Sequence, residues 1–415
     1  TLRSIFENPA NTRLLKSFAH RIGLMHENPV AQEIVGAWLQ PGGLLTPVTA
    51  NNEANSQILS YVAPVCPNLL LDRIEAELTA EAFGGFEERF DNRRTTILSM
   101  LVSLAYESET FTRCLNLLIL IARAEDPDSN YDSVRDKIVP FFQPYLSGSH
   151  ATLEQRAAMV RSHISSDDSI ERAIGFSMLS KALGGPSWTG AGMGDFGARP
   201  RDFGYQPNHQ QLVDWRHQFI DIAVEAGLDQ DMERSSSARS VLADKFRSLW
   251  RQDAVRQKLA DAATQLNERR AWSEGWKAVQ STLYFGNRRL AKEPELQFGI
   301  DELVALQNSL RPTDLISNIN AYLFGRSIDL WSLDPDFDHD DTSKYEAARS
   351  RIAATVTDFG REFSSSKTHI SELGDQLFSA NSMAYGEAFG RGLALGSADA
   401  RATWGELVAG LRGYG

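Results

Sequence analysis

The stretch Phe111-Thr-Arg-Cys-Leu-Asn-Leu-Leu-Ile-Leu-Ile-Ala122 sets Phe111, Cys114, Leu115, Leu118, Ile121 and Ala122 at intervals of three and four. That spacing puts one apolar stripe on one face of an α-helix, where a strand would alternate with a period of two. The pattern recurs along the chain. Tyr345, Ala348, Ile352, Val356, Phe359 and Phe363 follow it over five turns. So do Trp215, Phe219, Ile222 and Ala223, and again Val255, Leu259, Ala262 and Leu266. Convincing period-two runs of β-branched residues are missing, so the chain reads as all-α.

Local punctuation agrees. Asn28-Pro29 reads as an N-cap followed by proline at the first helical position, opening a helix that runs to Leu39 and stops at Pro41-Gly42-Gly43. Pro64 and Pro67 bracket Cys66, and Leu70, Ile74 and Leu78 follow at four-residue steps. Thr152 with Gln155, and Ser343 with Glu346, have the spacing of capping boxes. Helices of one to five turns are marginal alone and must bury their stripes against neighbours. Stacked helical pairs do this, so an irregular α-solenoid-like array of HEAT-type pairs is expected, although no fixed repeat period is visible. The expected division is a helical array over 1–183, a loop rich in glycine and aromatics over 184–210, a middle array over 211–330, an acidic linker over 331–343 and a C-terminal segment over 344–415.

Composition narrows the function. The chain has 415 residues, 42 of them basic and 54 acidic, for a net charge of −12. Its basic pairs, Arg93-Arg94, Arg269-Arg270 and Arg288-Arg289, are short and scattered. A nucleic-acid partner is therefore not expected, because binding phosphate calls for a basic footprint. The longest apolar run, near Leu117–Ala122, is far short of the roughly 20 residues of a membrane span. Cys66 and Cys114 are the two cysteines and read as buried structural thiols in a reducing, cytoplasmic setting. The ends read as those of a piece cut from a longer polypeptide.

Chemistry-bearing motifs are incomplete. Gly192-Met-Gly194-Asp-Phe-Gly197 has the glycine spacing of a dinucleotide loop, but the segment before it, Ile170–Leu183, reads as helix where a strand is needed. Asp336-Phe-Asp338-His-Asp340 starts like a calcium loop, yet Asp341 stands at the turn position and Ala347 at the twelfth. His20 and His26 are six apart and do not share a helix face. No P-loop and no G-x-S-x-G elbow occur. No catalytic residue, metal or cofactor is therefore assigned to this chain. An all-α enzyme drawing on Asp202, Glu346 and Asp358 is an alternative, but nothing in the sequence ties these acids together.

One stretch departs from the helical pattern. Gly184–Pro207 holds seven glycines among Trp188, Phe196, Phe203 and Tyr205. Long loops inside domains are uncommon and often functional. Arg199, Arg201, Asp202, Phe203 and Tyr205 are the candidate partner-binding residues, since arginine and tyrosine are favoured at recognition hot spots. The competing reading is that Arg201 and Asp202 simply pin the loop to the helices.

Two clusters carry a resemblance. The first runs from Ile58-Leu-Ser-Tyr-Val-Ala-Pro-Val-Cys-Pro67 through Leu69-Leu-Leu-Asp-Arg-Ile-Glu75 to Arg93–Tyr106. The second is Phe196-Gly-Ala-Arg-Pro-Arg-Asp-Phe-Gly-Tyr205, preceded by Leu146-Ser-Gly-Ser-His-Ala151. Over Phe18 to about Trp215 the chain resembles the helical-repeat region that follows the ATPase core in large bacterial STAND-type NTPases, NLR-like proteins of antiphage defence. The resemblance implies a sensor or scaffold that binds a protein ligand, such as a phage protein, or mediates homo-oligomerisation, with ATPase and effector domains N-terminal to it. A structural oligomerisation module unrelated to defence is the other alternative.

Overall fold

The structure is a computed structural model. It describes the chain apart from residues 1–10, 47, 49–52, 79–90, 126–132, 186–200, 291–298, 325–329, 335–336, 339, 366–368, 370–372, 374–376, 378–383, 398–400, 402–404 and 406–415. Among the described residues there are seventeen α-helices and no strand. A lone parallel bridge joins Ser149 to Gly204. The all-α reading is borne out. The chain divides into two compact units, Thr1–Phe219 and Ile220–Gly415.

The first unit contains α1 (Thr12–Leu24), α2 (Pro29–Leu39), α3 (Glu53–Val62), α4 (Pro67–Glu77), α5 (Asp91–Leu104) and α6 (Ser108–Arg123). It continues with α7 (Val134–Ile138), a 3-10 turn at Val139–Phe142, α8 (Leu153–Ile164), α9 (Ser169–Ala182) and the first half of α10 (His209–Gly227). The second unit holds α11 (Met232–Trp250), α12 (Asp253–Arg269), α13 (Ser273–Leu290), α14 (Ile300–Leu310) and α15 (Leu315–Leu323). A 3-10 turn at Leu330–Ser332, α16 (Thr342–Phe363) and α17 (Gly386–Gly396) complete it. The main packing partners are close in chain order: α1 with α3, α5 with α6, α8 with α9, α11 with α12 and α13, α13 with α14, and α16 with α17.

The stripes account for the cores. All six apolar positions of the α6 stripe are buried. On α16, Ala348, Ile352, Val356 and Phe363 are buried, and only the N-terminal Tyr345 of that stripe is exposed. Each large apolar side chain so buried contributes about 1.5–3 kcal/mol. Between α16 and α17 the backbones themselves meet. A Cβ on Gly360 would strike the Phe389 carbonyl, and one on Gly392 would strike the Thr357 carbonyl, so this pair depends on residues without side chains.

The caps follow the sequence with two corrections. Asn28 accepts from the amides of Val30 and Ala31, with Pro29 opening α2. Thr152 and Gln155 form the full capping box of α8. At α16 the expected Ser343–Glu346 box does not form. Asp341, a stronger acceptor placed nearer the start, caps the helix through the amides of Ser343 and Lys344. Cys66 is the second correction. It is half-buried in the N-cap position of α4, with its thiol 3.4 Å from the Gln32 carbonyl, because Pro67 starts the helix after it. Cys114 is fully buried, as expected, and burial pushes its thiol well above the usual range.

Helix C-termini show a recurring device. The last carbonyls of a helix lack intrahelical donors, and buried or half-buried basic side chains supply them. Arg216 donates to the carbonyls of Ala182 and Gly184 at the end of α9. Arg239 reaches the carbonyls of Gly227, Leu266 and Arg270, joining the ends of α10 and α12. Arg256 takes the Trp250 carbonyl that ends α11, and Lys277 takes the Phe324 carbonyl after α15 at 2.7 Å. Burial pushes Arg216 and Arg239 each down to about 10, so both remain charged at neutral pH.

Arg239→Met should therefore destabilise the second unit by on the order of 3 kcal/mol, since three carbonyls lose a charged donor. Arg239→Lys should restore little of this, because an ammonium is a point donor and cannot span the three acceptors as a guanidinium does. Urea unfolding followed by circular dichroism measures both.

Candidate functional site

Of the candidate residues, Arg199 lies outside the described residues, as do Trp188, Phe196 and the whole Gly192–Gly197 motif. Arg201, Asp202, Phe203 and Tyr205 are described, and the structure places them against the turn after α5 and the segment Leu146–His150. Gly204 bridges Ser149. The Gly148 amide donates to the Phe203 carbonyl at 3.0 Å, and the Tyr205 amide to the Ser149 carbonyl at 2.8 Å. Gly204 sits at φ +79°, and a Cβ there would run into the Ser149 backbone. Only glycine meets both conditions.

Asp202 organises the exposed side of this junction. Its Oδ1 accepts from the Gly204 amide at 2.8 Å and from the Tyr106 hydroxyl at 3.0 Å, and lies 2.9 Å from His150 Nε2. The His150 amide donates to the Tyr106 carbonyl, and Ser149 Oγ to the Ala105 carbonyl at 2.6 Å. The Arg201 guanidinium lies 4.6 Å from the Tyr106 ring centroid, within cation–π range. The Gly204 amide, assisted by Tyr106 and His150, holds the Asp202 carboxyl below the usual range against its partial desolvation. Burial pushes the Tyr106 hydroxyl up, so it stays a neutral phenol at pH 7.

Arg156 of α8 organises the buried side. It is fully buried. Its Nη2 donates to Ser147 Oγ at 2.9 Å and to the Ser149 carbonyl at 3.0 Å. The rings of Phe111, Tyr205 and Trp215 surround it at 5.9, 5.4 and 5.4 Å. Its Nε and Nη1 have no hydrogen-bond partner, and these ring faces supply the compensating electrostatics. Burial pushes Arg156 down to about 9, still charged at neutral pH. Tyr205 stacks on Trp215, whose indole N–H donates to the Ala182 carbonyl at 3.0 Å.

The arrangement is a clasp. Tyr205 is packed inward, Asp202 and Arg201 pin the chain, and Phe203, 41% exposed, is presented outward. Chemically, Asp202 Oδ1 gathers the Gly204 amide, the Tyr106 hydroxyl and His150 Nε2, and the last two lie 3.0 Å from each other. Sequence reasoning did not reach Tyr106, His150, Arg156 or Trp215 as parts of one site. Tyr106 and Asp202 are 96 residues apart, and periodicity carries no signal over that distance.

The remaining acids stand apart. Glu346 and Asp358 lie twelve residues apart on α16, about 18 Å along a straight helix, and Asp358 pairs with Arg361. In the acidic stretch, Pro335, Asp336 and His339 lie outside the described residues. Asp334 forms a two-bond pair with Arg351, Asp340 pairs with Arg288, and Asp341 caps α16. Among the described residues no group of three metal-ligating side chains forms, and no helix is long and apolar enough to cross a membrane.

No protein-family model matches the chain, and neither a curated protein nor a solved structure matches it.

Because its carboxyl is held below the unfolded value, Asp202 contributes to docking fully above about pH 4 and loses that contribution as the pH falls through the lowered value. The Gly204 amide resonance should therefore shift toward its undocked position below pH 4. Asp202→Asn should remove that titration, because a carboxamide still accepts from Gly204 but carries no proton equilibrium.

Proposed function

We propose that this chain is a non-catalytic sensor or scaffold region, an irregular α-solenoid-like array of HEAT-type pairs, that binds a protein ligand through the clasped segment around Phe203. The observation that supports this most is a large aromatic side chain held outward on a backbone fixed from both sides. A preorganised anchor of this kind forfeits little ordering entropy on binding. The resemblance of Phe18 to Trp215 to the helical region of STAND-type NTPases gives the reading its context: a cytoplasmic antiphage protein whose ligand is a phage protein. The chemistry would then lie in domains that this chain does not carry.

The clasp also changes which residues should be tested. Arg201 and Tyr205 hold the segment in place, so substituting them would disturb the fold of the site. Phe203 can be changed without breaking a polar contact of its side chain. With a photo-crosslinking phenylalanine at position 203, an adduct to a phage protein should form in infected cells and not at Met232, a more exposed position on α11 in the second unit. Phe203→Ser should weaken capture of that partner by roughly thirty-fold, the loss of a ~2 kcal/mol anchor. Equal labelling at both positions, or none at 203, would sink the assignment.

A second reading, a homo-oligomerisation module, is favoured by α1. Leu15, Ala19 and Ile22 are buried, while Leu14 and Phe18, with Met25 at the C-cap, form an exposed apolar stripe beside them. Exposed apolar patches of this kind mark interaction surfaces. Sedimentation equilibrium should show self-association that Phe18→Asp abolishes. A monomer at all concentrations would remove this reading.

A further inference from the structure

The second unit contains a cleft of about 750 Å³, apart from the clasp and from α1. Its size is that of a small-molecule site. One wall is aromatic. Tyr284 of α13 and Trp331 of the 3-10 turn lie 6.0 Å apart with ring planes within 15°, and Phe337 closes the end of the wall at 55–57° to both. The near-parallel planes give the two rings of this wall a common orientation. Three carboxamides line the same cleft, Gln280 and Asn287 on the face of α13 that carries Tyr284, and Gln307 on α14. None of the three carboxamide side chains hydrogen-bonds to another described residue. Gln280 is only 7% exposed, and that side chain lines the cleft.

The rim is charged but compensated. Arg288 is bonded to Asp340 and, through Nη1, to the Tyr284 hydroxyl at 2.7 Å. Asp338 lies 3.6 Å from the Lys344 ammonium. Each rim charge has its opposite beside it, so the cleft has no surplus charge with which to hold an ion. An organic cation is disfavoured further, because the Arg288 guanidinium already lies 5.6 Å from the Tyr284 ring centroid. The two carboxylates at the rim oppose a phosphate.

A neutral ligand with a flat apolar face and a polar edge satisfies all of these groups. A carboxamide offers a donor and an acceptor side by side, the pairing that the edge of a nucleobase presents in return. Aromatic faces stack bases of any kind. We propose that this cleft binds a neutral planar nitrogen heterocycle, a nucleobase or nucleoside without its phosphates. A hexose is also neutral and can pack a C–H face on a ring, but its hydroxyls are spread around the ring and do not present the coplanar donor and acceptor that a carboxamide pairs with. This site lies in the other unit from the clasp and needs no protein partner, so its fate leaves the protein-binding reading untouched.

Titration calorimetry of the full chain with adenosine, guanosine, cytidine and uridine tests the idea. At least one should bind with a Kd below ~1 mM, and its 5′-monophosphate should bind about ten-fold more weakly. Trp331→Ala should weaken the nucleoside by roughly ten-fold or more, and Trp331→Phe, which keeps a stacking face, by only a few-fold. Gln307→Ala, on a half-buried position of α14, should change the preference among the four bases without affecting the fold. Absence of heat with all four nucleosides would overturn the proposal. So would binding unaffected by both Trp331→Ala and Gln307→Ala, or binding of methyl glucoside in place of the nucleosides.

Discussion

The packing of both units depends on how cations sheltered between helices meet the carbonyl ends of those helices. Helices of about one to six turns end often, and an end leaves carbonyls that water cannot reach once the next helix covers them. Arg216, Arg239, Arg256 and Lys277 answer this by reaching from a neighbouring helix, or from the start of the next one, to the exposed end. The arrangement satisfies two demands at once. The desolvated cation gains acceptors at the negative end of a helix dipole, and the carbonyls gain charged donors. It also fixes register, because a guanidinium that bonds to two helix ends permits one separation between them.

Arg156 is the variation that makes the clasp. It has backbone and hydroxyl acceptors on one edge only, and its faces are given to Phe111, Tyr205 and Trp215. The segment Arg201–Tyr205 is thus held from inside by a cation under Tyr205 and from outside by Asp202 on Tyr106. Phe203 lies between these two anchors with its carbonyl bonded to Gly148. An exposed aromatic on an unpinned loop would collapse onto the surface or sample many positions. Here the backbone on either side is fixed by partners from α8 and from the turn after α5.

The sequence reads well where the physics is local. The stripe of α6, the Asn28 cap and the Thr152 box each involve residues within a few positions, and each is present as read. Reading falters where two local solutions compete. Asp341 displaces Ser343 as the α16 cap, and Pro67, by starting α4, leaves Cys66 half-buried at the N-cap where a buried thiol was expected. It fails where function needs residues from separate helices. Asp202 gave no hint of Tyr106, nor Tyr205 of Arg156, because those pairings follow from tertiary packing. The cleft beside Trp331 was illegible for the same reason: Gln280, Gln307 and Phe337 come from three elements, and none is unusual in its own segment. Arg201, Asp202 and Tyr205 show the reverse difficulty. Their composition stood out, yet their side chains are engaged in holding the segment.

Placing cations inside has an effect on the outside. Among the described residues Arg156, Arg216, Arg239 and Lys277 are buried, against a single buried carboxylate, Asp334. The net charge of −12 therefore understates how acidic the solvent-facing side chains are. A molecule approaching from a distance meets the field of those outer charges. Long-range attraction would speed the arrival of basic partners and slow that of acidic ones, and rising ionic strength would narrow the difference. The helix-end cations, far from any partner, thus help decide which kinds of molecule reach the surface quickly enough to be sampled.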